Sequence, residues 1–417
     1  MSCKGAAFGF ATLNGLSVRR HLFCRSSANR RVCGKLFTGS QCPRAPRYFL
    51  VHTDKSAGNT PSTRGWEEYA GNFIFRPPHV IVRPSQRTAY GTGNGTPLPP
   101  KALVHFLGGA FVGAAPQVAY RWFLEQLALE GFVVVATPYR LSFDHLWTMD
   151  DVLTRFSAAA GMLALDYGPI PVVGIGHSLG ALLHTLGGSL FCNADGYKAA
   201  NVLIAFNNRR AEDAIPLFRE FIAPVVKTVA QTGELSDVIE RLVIDGPATF
   251  DTLFDTVTDV VFPGSRDSEL FALVRQSRAL AQQIPPLFAE VADGAFAFNP
   301  DPIEVMEAIR TLYKVRQTLI VSFKNDILDD SRSLQKALDP ERGATVIRLG
   351  GTHLTPCAQD FLDPRLRQSS FFSSFTCEKD NDTSYILREA MRRIVLREAM
   401  LMKNSVVAYL DRALGME

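Results

Sequence analysis

The chain of 417 residues predicts an α/β protein with a mostly parallel central sheet, helices on both faces and a helical insertion. Two observations carry that expectation. Short apolar runs alternate with helical periodicity from residue 102 to 206 and again after 318. One of those runs ends in a glycine-flanked serine, "VVGIGHSLGALLHTL" (172–186), where a helical pattern starts at once.

The elements follow in order. Residues 51–65 are polar and read as a linker, and Asn72–Phe75 reads as the first strand, stopped by Pro77-Pro78. The stretch GTGNGTPLPP (91–100) is a turn or loop. Ala102–Phe106 is an apolar strand, Ala119–Leu129 a helix, Phe132–Ala136 a buried strand and Val152–Leu165 a helix. Strand Ile170–Ile175, helix Ala181–Leu190 and strand Ala200–Phe206 complete a first part of the core over residues 66–208.

Alternation then stops. Residues 209–315 hold helical patterns (Ile222–Ala230, Leu270–Gln282, Ile303–Tyr313) and few strand signals, the expected form of a cap inserted above a pocket, with a second core-packing layer as the alternative. The second part of the core, 316–417, resumes with strand Thr318–Phe323, a helix near Ser333–Leu338 and strand Ala344–Leu349. The last helix, Ser384–Leu414, repeats LREAM at 387–391 and 396–400. Its apolar side is expected on the sheet, and its arginine-bearing face in solvent or against an anionic membrane surface.

Gly176-His177-Ser178-Leu179-Gly180 fits G-x-S-x-G, the nucleophile elbow of α/β-hydrolases. A serine on a sharp strand-to-helix turn has its Oγ lifted clear of the sheet, and small neighbours let strand and helix pass closely. A dinucleotide-binding turn is the rival, because Gly174-x-Gly176-x-x-x-Gly180 is one residue from that fingerprint. It requires an acid at the end of the next strand, where Asn207-Asn208 stand instead.

A serine hydroxyl needs a histidine to take its proton, and that histidine needs a carboxylate to set its tautomer. In this fold the chain order is Ser, Asp or Glu, then His. Of eight histidines only His184 and His353 follow Ser178, and no acid lies between Ser178 and His184. His353, on a glycine-containing loop after a strand, is therefore the expected base. Asp326, just past the strand at 318–323, is the expected acid, with Asp329 and Asp330 as fallbacks. Transition-state charge needs two backbone donors. Leu179 N–H is one, and Gly109 or Ala110 is the other, on a segment similar to an HGGG-type loop whose histidine, His105, is shifted in spacing.

The segments "VHFLGGAFVGAAPQ" (104–117), "GHSLG" (176–180), "AFNN" (205–208), "AIPL" (214–217) and "THLTP" (352–356) together resemble a domain-of-unknown-function family within the α/β-hydrolase superfamily. The resemblance covers roughly residues 66–356 and implies a family of oxygenic phototrophs, plastid-directed in eukaryotes, without an assigned substrate. The loop at 84–100, residues 357–383 and the repeated terminal helix depart from it.

Charge and cysteine use bound the rest. Residues 1–50 hold nine Lys or Arg and no Asp or Glu, the composition of an organelle transit peptide. Composition alone suits plastid or mitochondrion, and the resemblance implies the plastid. With those nine set aside, 35 of the 44 basic residues face 41 acidic ones, a net of −6. A mildly acidic body argues against nucleic-acid binding. No apolar run is long enough for a transmembrane helix. Cys3, Cys24, Cys33 and Cys42 fall in the transit segment; Cys192, Cys357 and Cys377 lack metal-ligand spacing and read as reduced thiols.

The sequence thus predicts a serine hydrolase acting on a small-molecule or lipid acyl bond without metal or organic cofactor. The competing readings are a binding or assembly protein that keeps the fold without turnover, and a dinucleotide-dependent oxidoreductase.

Overall fold

The computed structural model describes residues 65–78, 99–191, 198–210, several positions between 286 and 300, and then 301–338, 343–360 and 382–416, with side chains of the last stretch from 396. Eight strands form one sheet: β1 (Trp66–Tyr69), β2 (Asn72–Phe75), β3 (Leu103–Leu107), β4 (Val133–Ala136), β5 (Val172–His177), β6 (Ala200–Ile204), β7 (Gln317–Asn325) and β8 (Thr345–Thr352). Their order is β1-β2-β4-β3-β5-β6-β7-β8. β1 pairs antiparallel with β2, and β2 with β4. All other pairs are parallel.

The longer helices among the described residues are α1 (Arg121–Leu129), α2 (His145–Tyr167), α3 (Leu179–Leu190), α4 (Pro302–Leu312), α5 (Ser331–Ala337) and α6 (Asp382–Ala413). Every residue of β3, β4 and β6 is buried, because helices cover both faces of the sheet. On one face Val104, Phe106, Val134, Ile175 and Val321 meet Phe123 and Leu127 of α1 and Met402, Val406 and Leu410 of α6. On the other, Leu103 and Val133 meet Phe156 and Leu163 of α2, while Leu203 and Ile320 meet α3, α4 and α5. Exchanged central strands, an antiparallel edge and helices on both faces make this the α/β-hydrolase fold. All seven strands expected between residues 72 and 349 are present, with no end shifted by more than three residues.

Two expectations need correction. Asn72–Phe75 is not the first strand, since β1 precedes it in a hairpin. Its turn residues Ala70 and Gly71 both have positive φ, 50° and 71°, as a tight hairpin requires. Asn72 Nδ2 donates to the Tyr69 and Ala70 carbonyls and locks the turn. β1 reads Trp-Glu-Glu-Tyr, with only Trp66 buried, so it shows no apolar period.

The second correction concerns the cap. Over residues 302–312 the chain is not cap but α4, a helix covering the sheet. Val305 and Ile309 pack against Leu182, Leu186 and Ile320. Asp301 begins it with a capping box: Oδ1 accepts from Ile303 and Glu304 N–H, and Glu304 Oε2 accepts from Asp301 N–H. An amphipathic helix has the same period above the sheet as on it, so periodicity could not separate the two. The patterns at Ile222–Ala230 and Leu270–Gln282 lie outside the described residues, as do residues 1–50.

The terminal helix packs on the sheet. Lys403 donates to Glu130 at 2.7 Å and Lys101 to Asp411 at 2.8 Å, fastening α6 beside α1. Arg397 and Arg412 are on its exposed side. No helix among the described residues is long and apolar enough to cross a membrane.

His145, at the start of α2, is buried, and neither ring nitrogen has a hydrogen-bond partner among the described residues. Burial pushes its pKa down to about 4. Between that value and the unfolded one, about 6.5, the unfolded chain binds the extra proton, so stability falls as pH drops. Denaturant melts from pH 7 to pH 4 are expected to lose up to about 3 kcal/mol through this residue. His145→Phe should flatten the decline; an equally steep slope in that variant would show that His145 is not the group titrating.

Candidate functional site

The site forms where β5 hands over to α3. His177 is the last residue of β5 and Leu179 the first of α3. Ser178 between them has φ 56° and ψ −118°, a strained conformation for a residue with a Cβ. Its N–H donates to the Ile204 carbonyl at 2.9 Å, which pins the turn to β6. Both flanking glycines are required by close backbone approach. A Cβ on Gly176 would lie 2.4 Å from the Gly180 carbonyl oxygen, and one on Gly180 only 2.2 Å from that of Leu107.

Asp326 follows β7, and His353 follows β8. The two meet: His353 Nδ1 lies 2.7 Å from Asp326 Oδ2, with the Asp326 side chain wholly enclosed and that of His353 8 % exposed. Asp326 also accepts from Leu328 N–H at 2.9 Å, so both carboxylate oxygens are engaged. With Nδ1 donating to the carboxylate, neutral His353 keeps an unprotonated Nε2 able to take a proton. The fallback acids point elsewhere. Asp329 accepts from Ser331 N–H, with its pKa raised mainly by burial, and Asp330 accepts from Asn208 N–H.

His353 is held beside the elbow. His177 Nε2 lies 2.9 Å from the His353 carbonyl oxygen, and the two rings are 4.8 Å apart between centroids. The loop from Leu107 to Phe111 closes the opposite side. A Cβ on Gly109 would be 3.2 Å from both Ser178 Cβ and His177 Nδ1, so the loop backbone lies directly against the serine. Phe111 has φ 61° and ψ −62°, and Val112 N–H returns to the Ala110 carbonyl at 2.7 Å, a tight and strained three-residue turn.

The two candidates for the second oxyanion donor are thereby separated. Gly109 N–H donates to Tyr120 Oη at 2.7 Å and is occupied. Ala110 N–H has no acceptor among the described residues. Leu179 N–H, at the first position of α3, lacks an acceptor within its helix.

His105, the histidine at shifted spacing, falls within the strand expected at 102–106 and not on the loop. It lies inside β3, fully buried, its ring stacked on Phe156 at 3.8 Å with Nε2 3.2 Å from Thr137 Oγ1. Side-chain alternation along β3 sends it to the face covered by α2. His184 is also buried: its Nδ1 is 2.7 Å from Lys198 Nζ, and its Nε2 faces the His105 and Ile175 carbonyls. Gly174 packs in mid-strand against Asn201 and His184, so this glycine serves sheet-to-helix contact. Among the described residues no three His, Cys, Asp or Glu side chains gather to hold a metal.

Sequence reading passed over Tyr120 and His177. The elbow pattern leaves its second position open, and Tyr120 read only as part of a helix. Cys357 was expected as a reduced thiol; it is free and buried, and burial pushes it up to about 12.

A mostly parallel sheet with a strained serine at its central strand-to-helix turn places the chain in the α/β-hydrolase class. Within that class it belongs to the family described as protein of unknown function DUF1350, whose model matches residues 89–243 and 252–380. No curated protein matches the sequence. Among solved structures it is similar to a lipase in its open form, 15% identical, TM-score 0.39, covering 82% of this chain and 94% of that one. It is also similar to the enol-lactonase from Burkholderia xenovorans LB400, 15% identical, TM-score 0.40, covering 74% and 97%. A thioesterase domain from the curacin biosynthetic pathway is 16% identical, TM-score 0.37, covering 74% and 98%. These likenesses carry nothing about chemistry.

Gly180→Ala sets a methyl group into two carbonyl oxygens of a neighbouring backbone and is expected to lose about 4 kcal/mol or more, or to prevent folding. Gly161→Ala, in an exposed part of α2 with nothing within 4 Å, should gain up to about 1 kcal/mol. Thermal melts of the two variants beside wild type check this pair; a well-folded Gly180→Ala would contradict the backbone contact.

Proposed function

We propose that this protein is a serine hydrolase that cleaves an ester or related acyl bond in a small-molecule or lipid substrate. The observation that carries the reading is the His353–Asp326 contact of 2.7 Å beside a serine held at φ 56°. A histidine oriented by a carboxylate in this way is what can turn a neighbouring hydroxyl into a nucleophile.

In this reading Ser178 Oγ attacks the acyl carbonyl carbon while its proton passes to His353 Nε2. Asp326 holds Nδ1–H and stabilises the imidazolium. The carbonyl oxygen becomes an oxyanion facing the N–H groups of Leu179 and Ala110, with the N-terminal dipole of α3 adding to the field. Collapse breaks the bond to the leaving group, which takes the proton from His353 Nε2 and departs. Water, deprotonated by His353, then attacks the acyl-serine, and the second collapse returns Ser178 its proton and releases the acid. No step requires a metal or an organic cofactor.

Fluorophosphonates trap such a serine as a covalent phosphonate. Wild type is expected to label, Ser178→Ala not at all, and His353→Ala barely. Asp326→Asn should label about 10⁴-fold more slowly, the size of the tautomer effect in serine proteases. A folded wild type that neither labels nor turns over esters would instead mark a binding or assembly protein on a hydrolase scaffold.

We also propose that residues 1–50 direct import into an organelle, supported by nine basic residues without one acid, and that the organelle is the plastid, as the family resemblance implies. Protein purified from the organelle is expected to begin between about residues 40 and 65. N-terminal sequencing that finds Met1 retained would count against this.

A further inference from the structure

The hydrogen bonds around His177 can be arranged in one way when the ring is neutral. His177 Nε2 faces a carbonyl oxygen, that of His353 at 2.9 Å, and a carbonyl only accepts. Nε2 therefore carries the proton, and Nδ1 is an acceptor. Tyr120 Oη, 2.8 Å from Nδ1, must then donate its hydroxyl proton. The same oxygen accepts from Gly109 N–H at 2.7 Å. A directed chain runs from Gly109 through Tyr120 and His177 to the backbone of His353, and every link has its polarity set by the next.

We propose that Tyr120 and His177 are positioning residues, a bridge that holds the oxyanion loop and the His353 loop at fixed places on either side of Ser178. The proposal rests on the serine-hydrolase reading. Three separate chain segments, after β3, β5 and β8, must converge on one reacting carbonyl, and β3 and β8 are not paired but separated by three strands in the sheet. The bridge spans that gap and passes directly beneath the serine, because His177 is its neighbour in sequence. Taking up Gly109 N–H also decides which amide remains for the oxyanion: Ala110, displayed by the strained turn at Phe111.

Burial supports the arrangement. Tyr120 and His177 are 0 % and 1 % exposed, and both are driven toward their neutral forms, the tyrosine well up and the histidine well down. Burial is the main cause in each, and His353 adds to the effect on His177. A neutral bridge adds no charge that would compete with the imidazolium on His353. Tyr120 also packs edge-on against Phe106, so its ring is anchored in the core independently of its hydroxyl.

The test uses the full chain and a rhodamine fluorophosphonate, after the wild type has been shown to label; failure at that first step sinks the hydrolase reading, and failure later sinks only the bridge. Tyr120→Phe keeps the ring and removes the hydroxyl. His177→Gln retains a donor for the His353 carbonyl and moves the acceptor away from the Nδ1 position that faces Tyr120. Each is expected to lower the maximal labelling rate about 10- to 100-fold while half-saturation moves less than about threefold, because small displacements of reacting groups act on the transition state. The double variant should be no slower than the worse single one, since both substitutions cut the same chain. Rates within about twofold of wild type, or losses that multiply in the double variant, would overturn the bridge. Nitrogen NMR of histidine-labelled wild type needs no variant at all. His177 is expected as the Nε2–H tautomer with an unprotonated Nδ1, and the opposite tautomer would refute the proposed polarity.

Discussion

The contact on which the rest of this structure depends is the passage of Gly180 across the carbonyls of Leu107 and Gly108. Backbone lies on backbone there, with room for a hydrogen atom and for nothing larger. That contact fixes the height of α3 above β5, and so the direction in which Ser178 leaves the sheet. It also draws the loop after β3 against the serine, since the same carbonyls belong to that loop. A strained residue such as Ser178 costs about 1–3 kcal/mol and persists only where its surroundings leave no alternative. The fully buried sheet on either side, from Val104 to Ile204, supplies that constraint.

Around the elbow the ring nitrogens of His177 and His184 all have partners, whereas Ala110 N–H has no acceptor among the described residues. His184, beneath the turn, satisfies Lys198 and two carbonyls. His177 and Tyr120 join the neighbouring loops. The charged side chain closest to the chemistry is Asp326, and both of its oxygens are bonded. In a buried setting a paired carboxylate orients its histidine strongly, because little water competes for it. The arrangement therefore sets a carboxylate where an imidazolium would form, while burial keeps Tyr120 and His177 neutral.

Much of this was legible in order along the chain. G-x-S-x-G marks a steric requirement that any reader can infer, and the structure locates it in Gly176 and Gly180. The chain order of serine, acid and histidine left His353 by elimination, and Asp326 followed from where an apolar run ended. β1 was hidden because an edge strand with two glutamates has no apolar rhythm. Helix α4 was misplaced because a period of 3.6 reports an apolar stripe and not what the stripe faces. The surroundings of His105 were not legible because the strand pattern at 102–106 does not reveal which element covers the face that a side chain takes.

By itself, then, the sequence determined the alternation of strands and helices, the elbow and the identity of the acid and base candidates. Those are properties of local sterics, burial period and residue chemistry, all carried by neighbours in the chain. Only the tertiary structure decided that Asp326 rather than Asp329 or Asp330 meets His353, and that Gly109 is occupied while Ala110 is open. It alone joined Tyr120, His177 and the His353 backbone into one chain of hydrogen bonds. Such choices turn on ångström distances between segments up to 176 residues apart, and no local preference encodes a distance of that kind.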